Sequence, residues 1–217
     1  MNVPRRIKLA AKYLLAPMIY RYPPCGLQPA ELASYLGYLL QRRDVPGDVA
    51  EIGCNNGGTA VIASSLLRKY SPEKTYFCFD TFGGFVKEQF DADLGHGTPP
   101  AERDRFSVNS LRLVRRILDL HGCQDVVLVK GDATKIDEDR LSPAYSVILV
   151  DVDLSVPTYA VLTKFYSRLA KGGIILVDDC SEEPEQIWRA IIGYKQFCAE
   201  HRLRVRFEYG QGVIEKE

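Results

Sequence analysis

The 217-residue sequence predicts an α/β fold: a doubly wound, mostly parallel sheet with helices on both faces and a C-terminal antiparallel hairpin, seven strands in all. Three observations predict it. Short apolar, β-branched runs alternate with stretches of helical spacing along most of the chain, the pattern of βα units. Several of these runs are continuously apolar, as strands covered on both faces must be. The runs Val147-Ile148-Leu149-Val150 and Ile174-Ile175-Leu176-Val177 stop on carboxylates, Asp151 and Asp153 after the first, Asp178 and Asp179 after the second. Ligands of open parallel sheets bind beyond the carboxyl ends of the strands, so four acids are delivered to the edge where such folds do chemistry.

In chain order, residues 1–45 read as N-terminal helices and 46–217 as the α/β domain. The stretch from Arg5 to Leu15 is basic and apolar. It is too short and too interrupted by Lys12 for a signal peptide, and reads as an amphipathic helix packing on the domain or on a partner subunit. Pro29 suits the first turn of a second helix, and Pro46-Gly47 marks a turn. Asp48 to Gly53 is the first strand, and Gly57 opens a helix. Thr75 to Asp80 is the second strand. Residues 81–105 are rich in Gly, Pro, Asp and Phe without a period, and read as a lid or binding loop. A helix is expected from Ser107 to about Leu120, closed by His121-Gly122. The third strand is Asp125 to Lys130, and Asp137 to Arg140 is a short helix or loop. The fourth strand is Ser146 to Val150. A helix with Pro157 near its start runs to Lys171-Gly172-Gly173, and Ile174 to Val177 is the fifth strand. Glu185 to about Arg202 is a helix with Trp188 and Phe197 on its apolar face, and the alternating tail around Gly210-Gln211-Gly212 is the hairpin.

Composition narrows the function. Lys plus Arg and Asp plus Glu number 28 each, so no net charge points to nucleic acid or an anionic surface. No run is long enough to span a bilayer. The six cysteines show no CxxC spacing, which fits a reducing, cytoplasmic setting. His96, His121 and His201 are too scattered for a zinc site.

Glu51-Ile52-Gly53-Cys54-Asn55-Asn56-Gly57-Gly58-Thr59 joins the first strand to its helix. Glycines admit a ligand close to the backbone at a helix N-terminus. The spacing is not that of dinucleotide folds; it resembles the first motif of class I S-adenosylmethionine methyltransferases. A tight turn without a ligand is the plainer alternative. Asp80, at the end of the second strand, is placed to accept hydrogen bonds from ribose hydroxyls, or to cap the next turn of the chain. In the same resemblance Asp132 and Ala133 lie beside the adenine; otherwise Gly131-Asp132 is a turn. Asp151 and Asp153, two apart, can face one way. Neighbouring strands are about 4.8 Å apart, so they can meet Asp178 and Asp179. Carboxylate pairs repel by roughly 4 kcal/mol at 4 Å and an effective dielectric of 20. An all-oxygen cluster therefore calls for a hard cation, Mg²⁺ or Ca²⁺. Helix capping accounts for one acid per strand end but not for four.

Val150-Asp151-Val152-Asp153-Leu154-Ser155-Val156-Pro157-Thr158, Val177-Asp178-Asp179-Cys180, Phe79-Asp80-Thr81-Phe82-Gly83-Gly84-Phe85 and the glycine loop together resemble the macrocin O-methyltransferase (TylF-like) family over about residues 45–200. The resemblance implies the class I methyltransferase (Rossmann-like) sheet and transfer of a methyl group from S-adenosylmethionine to a hydroxyl, that of a sugar in a glycoside or natural product. It implies a cofactor site of Glu51, Gly53, Asn55, Gly57, Gly58, Thr59, Asp80, Thr81, Asp132, Ala133 and Asp151. It makes Asp151, Asp178 and Asp179 ligands of Mg²⁺ or another hard divalent cation, and Asp153 the general base. Ser155 departs from the family's usual Tyr. The resemblance leaves homo-oligomerisation open. The alternatives are a catechol-type O-methyltransferase, against which stands the lack of a lysine soon after Asp153, and a non-catalytic S-adenosylmethionine-binding partner protein.

Overall fold

The structure, a computed structural model, describes residues 4–183 and 186–217. Its sheet contains β1 (Asp48–Ile52), β2 (Tyr76–Asp80), β3 (Val127–Lys130), β4 (Tyr145–Val150), β5 (Leu169–Val177), β6 (Phe207–Glu208) and β7 (Gln211–Glu215) in the order β3-β2-β1-β4-β5-β7-β6. The first five are mutually parallel, and β7 runs antiparallel between β5 and β6. This is the doubly wound sheet with a terminal antiparallel hairpin that the sequence predicts.

Successive residues of each strand face opposite layers. Val49, Leu149 and Leu176 pack with Tyr35 and Leu39 of α3 (Pro29–Gln41), Val61 and Leu67 of α4 (Gly58–Tyr70), and Val114 and Leu118 from the helix after β2. Ala50, Ile148 and Ile175 face the other way, against Val161 and Phe165 of a helix after β4 and Tyr194 and Phe197 of the last helix. Both faces are therefore dry, which is why the strands read as unbroken apolar runs.

The parallel ladder also levels the strand ends. Ile52 pairs with both Phe79 and Val150, and Val150 pairs with Val177. The ladder continues one step further, with Gly53 N donating to Phe79 O, Asp151 N to Ile52 O and Asp178 N to Val150 O, each at 2.8 Å. Gly53, Asp151 and Asp178 consequently emerge side by side at one edge.

At the N-terminus, α1 (Arg5–Leu14) is pinned across the body. Arg5 donates to the Ser107 and Asn109 carbonyls at 2.6 and 2.7 Å, and Lys12 to that of Val108 at 3.3 Å. Its outer side and the short α2 (Ala16–Ile19) leave Leu14 and Met18 exposed.

Four boundaries differ from expectation. The 81–105 stretch is not wholly irregular; it contains α5 (Lys87–Asp93) and two short 3₁₀ turns. The following helix, α6 (Leu111–Leu120), starts four residues later than Ser107, because Ser110 is the cap whose side chain accepts the Leu113 N–H at 3.2 Å. After α7 (Ser155–Tyr166), β5 takes in Lys171-Gly172-Gly173. There the Gly172 N–H bonds the Lys216 carbonyl at 2.6 Å, so the glycines extend a strand rather than end a helix. The last helix, α8 (Ala190–Glu200), begins beyond Trp188; the expected start at Glu185 lies outside the described residues. Residues 186–189 are instead drawn onto the strand ends, where Gln186 and Arg189 bond Asp179 and the Asp153 carbonyl.

Among the described residues no helix is long and apolar enough to cross a membrane, and the six cysteines are free thiols.

Candidate active site

One cavity of about 380 Å³ opens at the carboxyl ends of β1, β2, β3, β4 and β5. Its floor is the turn between β1 and α4. Gly53 has φ +91°, and a Cβ there would lie 1.7 Å from the Asp151 carbonyl, so only glycine lets β1 and β4 leave the sheet this close together. Gly57 also has positive φ, but its missing Cβ faces Val114 and Leu118 and it does not line the cavity. Its part is to turn the chain into α4. Gly58, Thr59 and Asn55 do line it.

Asp80 holds this turn from the neighbouring strand. One carboxylate oxygen accepts the Asn55 N–H at 2.9 Å and the other the Phe82 N–H at 2.6 Å. Burial raises its pKa against those hydrogen bonds. Thr81, also on the wall, donates to the Gly84 carbonyl at 2.6 Å. Glu51 lies deeper and is 2% exposed. It accepts the Tyr76 hydroxyl at 2.7 Å, and Tyr76 in turn meets the Tyr35 hydroxyl at 2.9 Å. Burial, with the charge of Asp80 adding to it, pushes Glu51 up to about 8. Asp132 and Ala133 line the far end of the cavity. Asp132 accepts the Thr134 N–H and hydroxyl at 3.0 and 2.7 Å, and the Gln89 amide of α5 at 3.2 Å. These bonds, opposed by desolvation, hold its pKa low.

All four acids of the β4 and β5 ends face this cavity. Asp151, Asp153 and Asp179 each bring a carboxylate oxygen within 4.8 Å of the others'. Asp178 stands outside that trio, with one oxygen turned to the Gln211 amide of β7 at 3.4 Å. Its charge is nevertheless the largest charge effect acting on Asp151. The geometry thus groups Asp153 with Asp151 and Asp179, whereas the family resemblance groups Asp178 with them. Enclosure and mutual repulsion drive Asp151, Asp153 and Asp178 well above the usual carboxylate range. Asp179 rises to about 6, held back by hydrogen bonds from Asp153 and Gln186. Such oxygen-only donors, crowded and in want of positive charge, fit a hard divalent cation.

Asp153 and Asp179 have φ of +63° and +56°, and Asn55 and Phe82 are likewise left-handed. Three of these four non-glycine residues, Asn55, Asp153 and Asp179, line the cavity and mark where the chain is held in costly conformations by its surroundings.

Several residues complete the site, among which sequence patterns pointed to Phe85, in the motif that carries the resemblance, and to Trp188, on the expected last helix. Gln186 donates to Asp179 at 3.1 Å, and the Arg189 N–H to the Asp153 carbonyl at 2.9 Å. Asp93 of α5, fully buried, accepts the Ser155 N–H at 3.0 Å and its hydroxyl at 2.5 Å, so the lid helix caps α7. Arg105 is the cation whose charge reaches both Asp153 and Asp179. Phe85, Phe106 and Trp188 form the remaining wall. Of the residues in the 81–105 stretch, Phe82 and Phe90 are buried in packing, and His96 is exposed, its carbonyl accepting from Arg189 at 3.0 Å. The aromatic content of the 81–105 stretch was the available signal; the partners were not.

A family model described as macrocin-O-methyltransferase (TylF) matches residues 37–204. The chain belongs to that family. Among curated relatives, mycinamicin III 3''-O-methyltransferase of Micromonospora griseorubida is 30% identical over 144 residues, 64% of this chain. The chain spans 57% of that relative's length. Two solved structures share the fold of this family member. The O-methyltransferase NovP superposes with a TM-score of 0.68 at 17% identity, covering 98% of this chain and 99% of its own. CalS11, a calicheamicin methyltransferase, gives 0.68 at 23% identity, covering 99% and 94%.

Proposed function

We infer that the protein is an O-methyltransferase that moves the methyl group of S-adenosylmethionine to a hydroxyl of a sugar-containing small molecule, assisted by a divalent cation. The observation that carries this reading is the meeting, in one cavity, of the glycine turn, Asp80 and the four-acid cluster. The family's name and that of the mycinamicin relative support the reaction and the glycoside class.

In this reading Gly53, Asn55, Gly58 and Thr59 take the amino-acid end of the cofactor, with Gly57 shaping their turn. Glu51 faces its ammonium group. Asp80 and Thr81 take the ribose hydroxyls, and Asp132 with Ala133 flank the base. Asp151 and Asp179 hold the cation, Asp178 contributes its charge and third carboxylate, and Asp153 takes the proton. Once bound, the sulfonium supplies an electrophilic methyl group and the cation a positive field that acidifies a neighbouring hydroxyl. The protein's own work is then positional. The strand ends fix donor and acceptor groups on one level, which replaces a chance encounter by a held geometry. An Asp153 Oδ accepts the hydroxyl proton as the oxygen is alkylated. The positive groups that enter the cavity offset the burial and like-charge repulsion that raise its pKa in the free protein, which readies the carboxylate for this.

The test is transfer of labelled methyl from S-adenosylmethionine to a panel of glycosides and catechols, with Mg²⁺ and with EDTA. Transfer to a glycoside that depends on Mg²⁺ is expected. Undiminished transfer in EDTA rejects the cation's role, and exclusive methylation of catechols rejects the sugar.

A further inference from the structure

We propose that α1 and α2 dock the protein on an anionic lipid surface, lying in the plane of its headgroups. The docking is independent of the methyl-transfer reading.

The two helices have an apolar side facing inward and another facing outward. Inward, Ala16 and Tyr20 pack with Leu113 and Ile117 of α6, and Leu9 lies against them. Outward, Ile7, Ala11, Leu14 and Met18 fall in one stripe, at about 100° of helical turn per residue. Helical bonding carries the stripe through the junction. The Leu15 N–H donates to the Ala11 carbonyl and the Ile19 N–H to the Leu15 carbonyl, each at 2.9 Å. Ile7 is 57%, Leu14 77% and Met18 79% exposed, and exposed Leu15, Ile19 and Tyr22 widen the stripe. Leu14 also lines a groove of about 350 Å³ with Leu9, Tyr13 and Leu113. A surface helix ordinarily turns its apolar stripe to the core. A second stripe held in water, continuous with a groove, marks a docking surface.

Charge identifies what docks there. The chain is neutral overall, but residues 1–30 contain five Lys or Arg and no Asp or Glu, so the remainder is net acidic. Arg5 and Lys12 turn inward to carbonyls of the body. Arg6 and Lys8 stand about 100° to either side of Ile7, on the two flanks of the stripe. Arg6, Lys8 and Arg21 pair with no carboxylate among the described residues. Exposed Arg112, which also lines the groove, adds a cation 4.8 Å from the Tyr13 ring centroid. An apolar stripe with basic flanks matches an anionic lipid surface. Leucine and methionine enter the acyl boundary while the cations stay with the phosphates. A second copy of the chain matches it less well, because a two-fold contact sets this acid-free patch against itself and like charges meet.

The docking segment is continuous with one wall of the cavity. Arg5 bonds the Asn109 carbonyl, and the Asn109 amide donates to the Asn55 carbonyl at 2.7 Å. Pro24 and Gly26, just beyond α2, line the cavity with them.

The test is co-sedimentation of the full chain with sucrose-loaded vesicles, of phosphatidylcholine with about 30% phosphatidylglycerol or of phosphatidylcholine alone. Partition onto the anionic vesicles is expected to be at least tenfold the stronger at about 0.1 M NaCl, and to fall at least fivefold at about 0.5 M. Leu14→Ser with Met18→Ser, and Arg6→Gln with Lys8→Gln, should each lower it at least fivefold. All four side chains are exposed, so Tm should stay within about 2 °C of the parent in both variants. Equal partition on the two vesicles, sedimentation with neither, partition undiminished by salt, or partition unmoved by either double variant overturns the proposal. Sedimentation velocity without vesicles tests the rival occupant. A parent dimer that Leu14→Ser with Met18→Ser converts to a monomer assigns the face to a second copy and likewise overturns the proposal.

Discussion

Four carboxylates enclosed together make the cation-free protein lose stability as pH rises. Asp179 shows the size of the effect. Its pKa is raised from 3.8 to about 6 by burial, so between those values the folded state holds more protons than the unfolded one. Stability then falls with increasing pH. It is fully present below about pH 4 and lost as pH climbs through 6. At 1.36 kcal/mol per pKa unit, Asp179 alone accounts for about 3 kcal/mol. For a chain of this size that is roughly 6–12 °C in Tm. Asp151, Asp153 and Asp178 shift in the same direction and extend the loss to higher pH. Other groups, such as Asp132 with its lowered pKa, act with the opposite sign. Comparison with Asp179→Asn isolates the cluster, and asparagine tolerates the left-handed backbone at this position. Thermal melts in EDTA should find the variant and parent close together at pH 4.5 and the variant more stable at pH 8. Millimolar Mg²⁺ at pH 8 should then raise the parent's Tm more than the variant's. A variant less stable than the parent at pH 8 in EDTA would refute the reasoning, since the carboxylate would then be stabilising rather than strained by its neighbours.

The same contacts support three further predictions. Asp153→Asn should lower kcat by about 10²- to 10⁴-fold, the span of a lost general base, with Mg²⁺ affinity in calorimetry changed less than threefold; a tenfold loss of Mg²⁺ affinity would instead make Asp153 a ligand, as its grouping with Asp151 and Asp179 allows. Asp80→Asn removes a charged acceptor, worth about 1.5–3 kcal/mol, and should weaken S-adenosylhomocysteine binding at least tenfold, so unchanged affinity would remove Asp80 from the cofactor site. Ser155→Ala takes one donor from the buried Asp93 carboxylate and should cost about 1.5–3 kcal/mol in urea denaturation, whereas an unchanged midpoint would mean that the α5–α7 link carries no stability.

Much of the candidate site at the strand ends was legible because the signals for it are local. A run such as Val147 to Val150 forms a strand by composition, and the acids that end it leave the sheet where the strand stops. Parallel pairing then puts the ends of β1, β4 and β5 on one level, so residues from three distant segments meet without any further instruction. Gly53 was legible for the same reason, since its glycine is required by the turn itself. Trp188 was misread. It was expected on the apolar face of the last helix, yet it precedes α8 and faces the cavity. Helical spacing could not reveal that Gln186 and Arg189 bind Asp179 and the Asp153 carbonyl, because those partners lie in other strands' ends. Likewise α5 and the long-range Asp93–Ser155 contact had no periodic trace in residues 81–105. Seven residues are too few for a helical repeat to stand out, and the contact that fixes them spans 62 positions.

The sequence by itself determined the doubly wound sheet with its terminal hairpin, the glycine turn and the delivery of four acids to one edge. Each depends on residues within a few positions of one another and on the geometry common to all parallel sheets. Only the tertiary structure decided how those acids divide, with Asp178 drawn to Gln211 and Asp153 brought to Asp151 and Asp179. It alone raised an aromatic wall beside them. Both outcomes depend on side-chain contacts across the chain, where burial, strain and like-charge repulsion are settled together, and no single stretch of sequence contains all the partners.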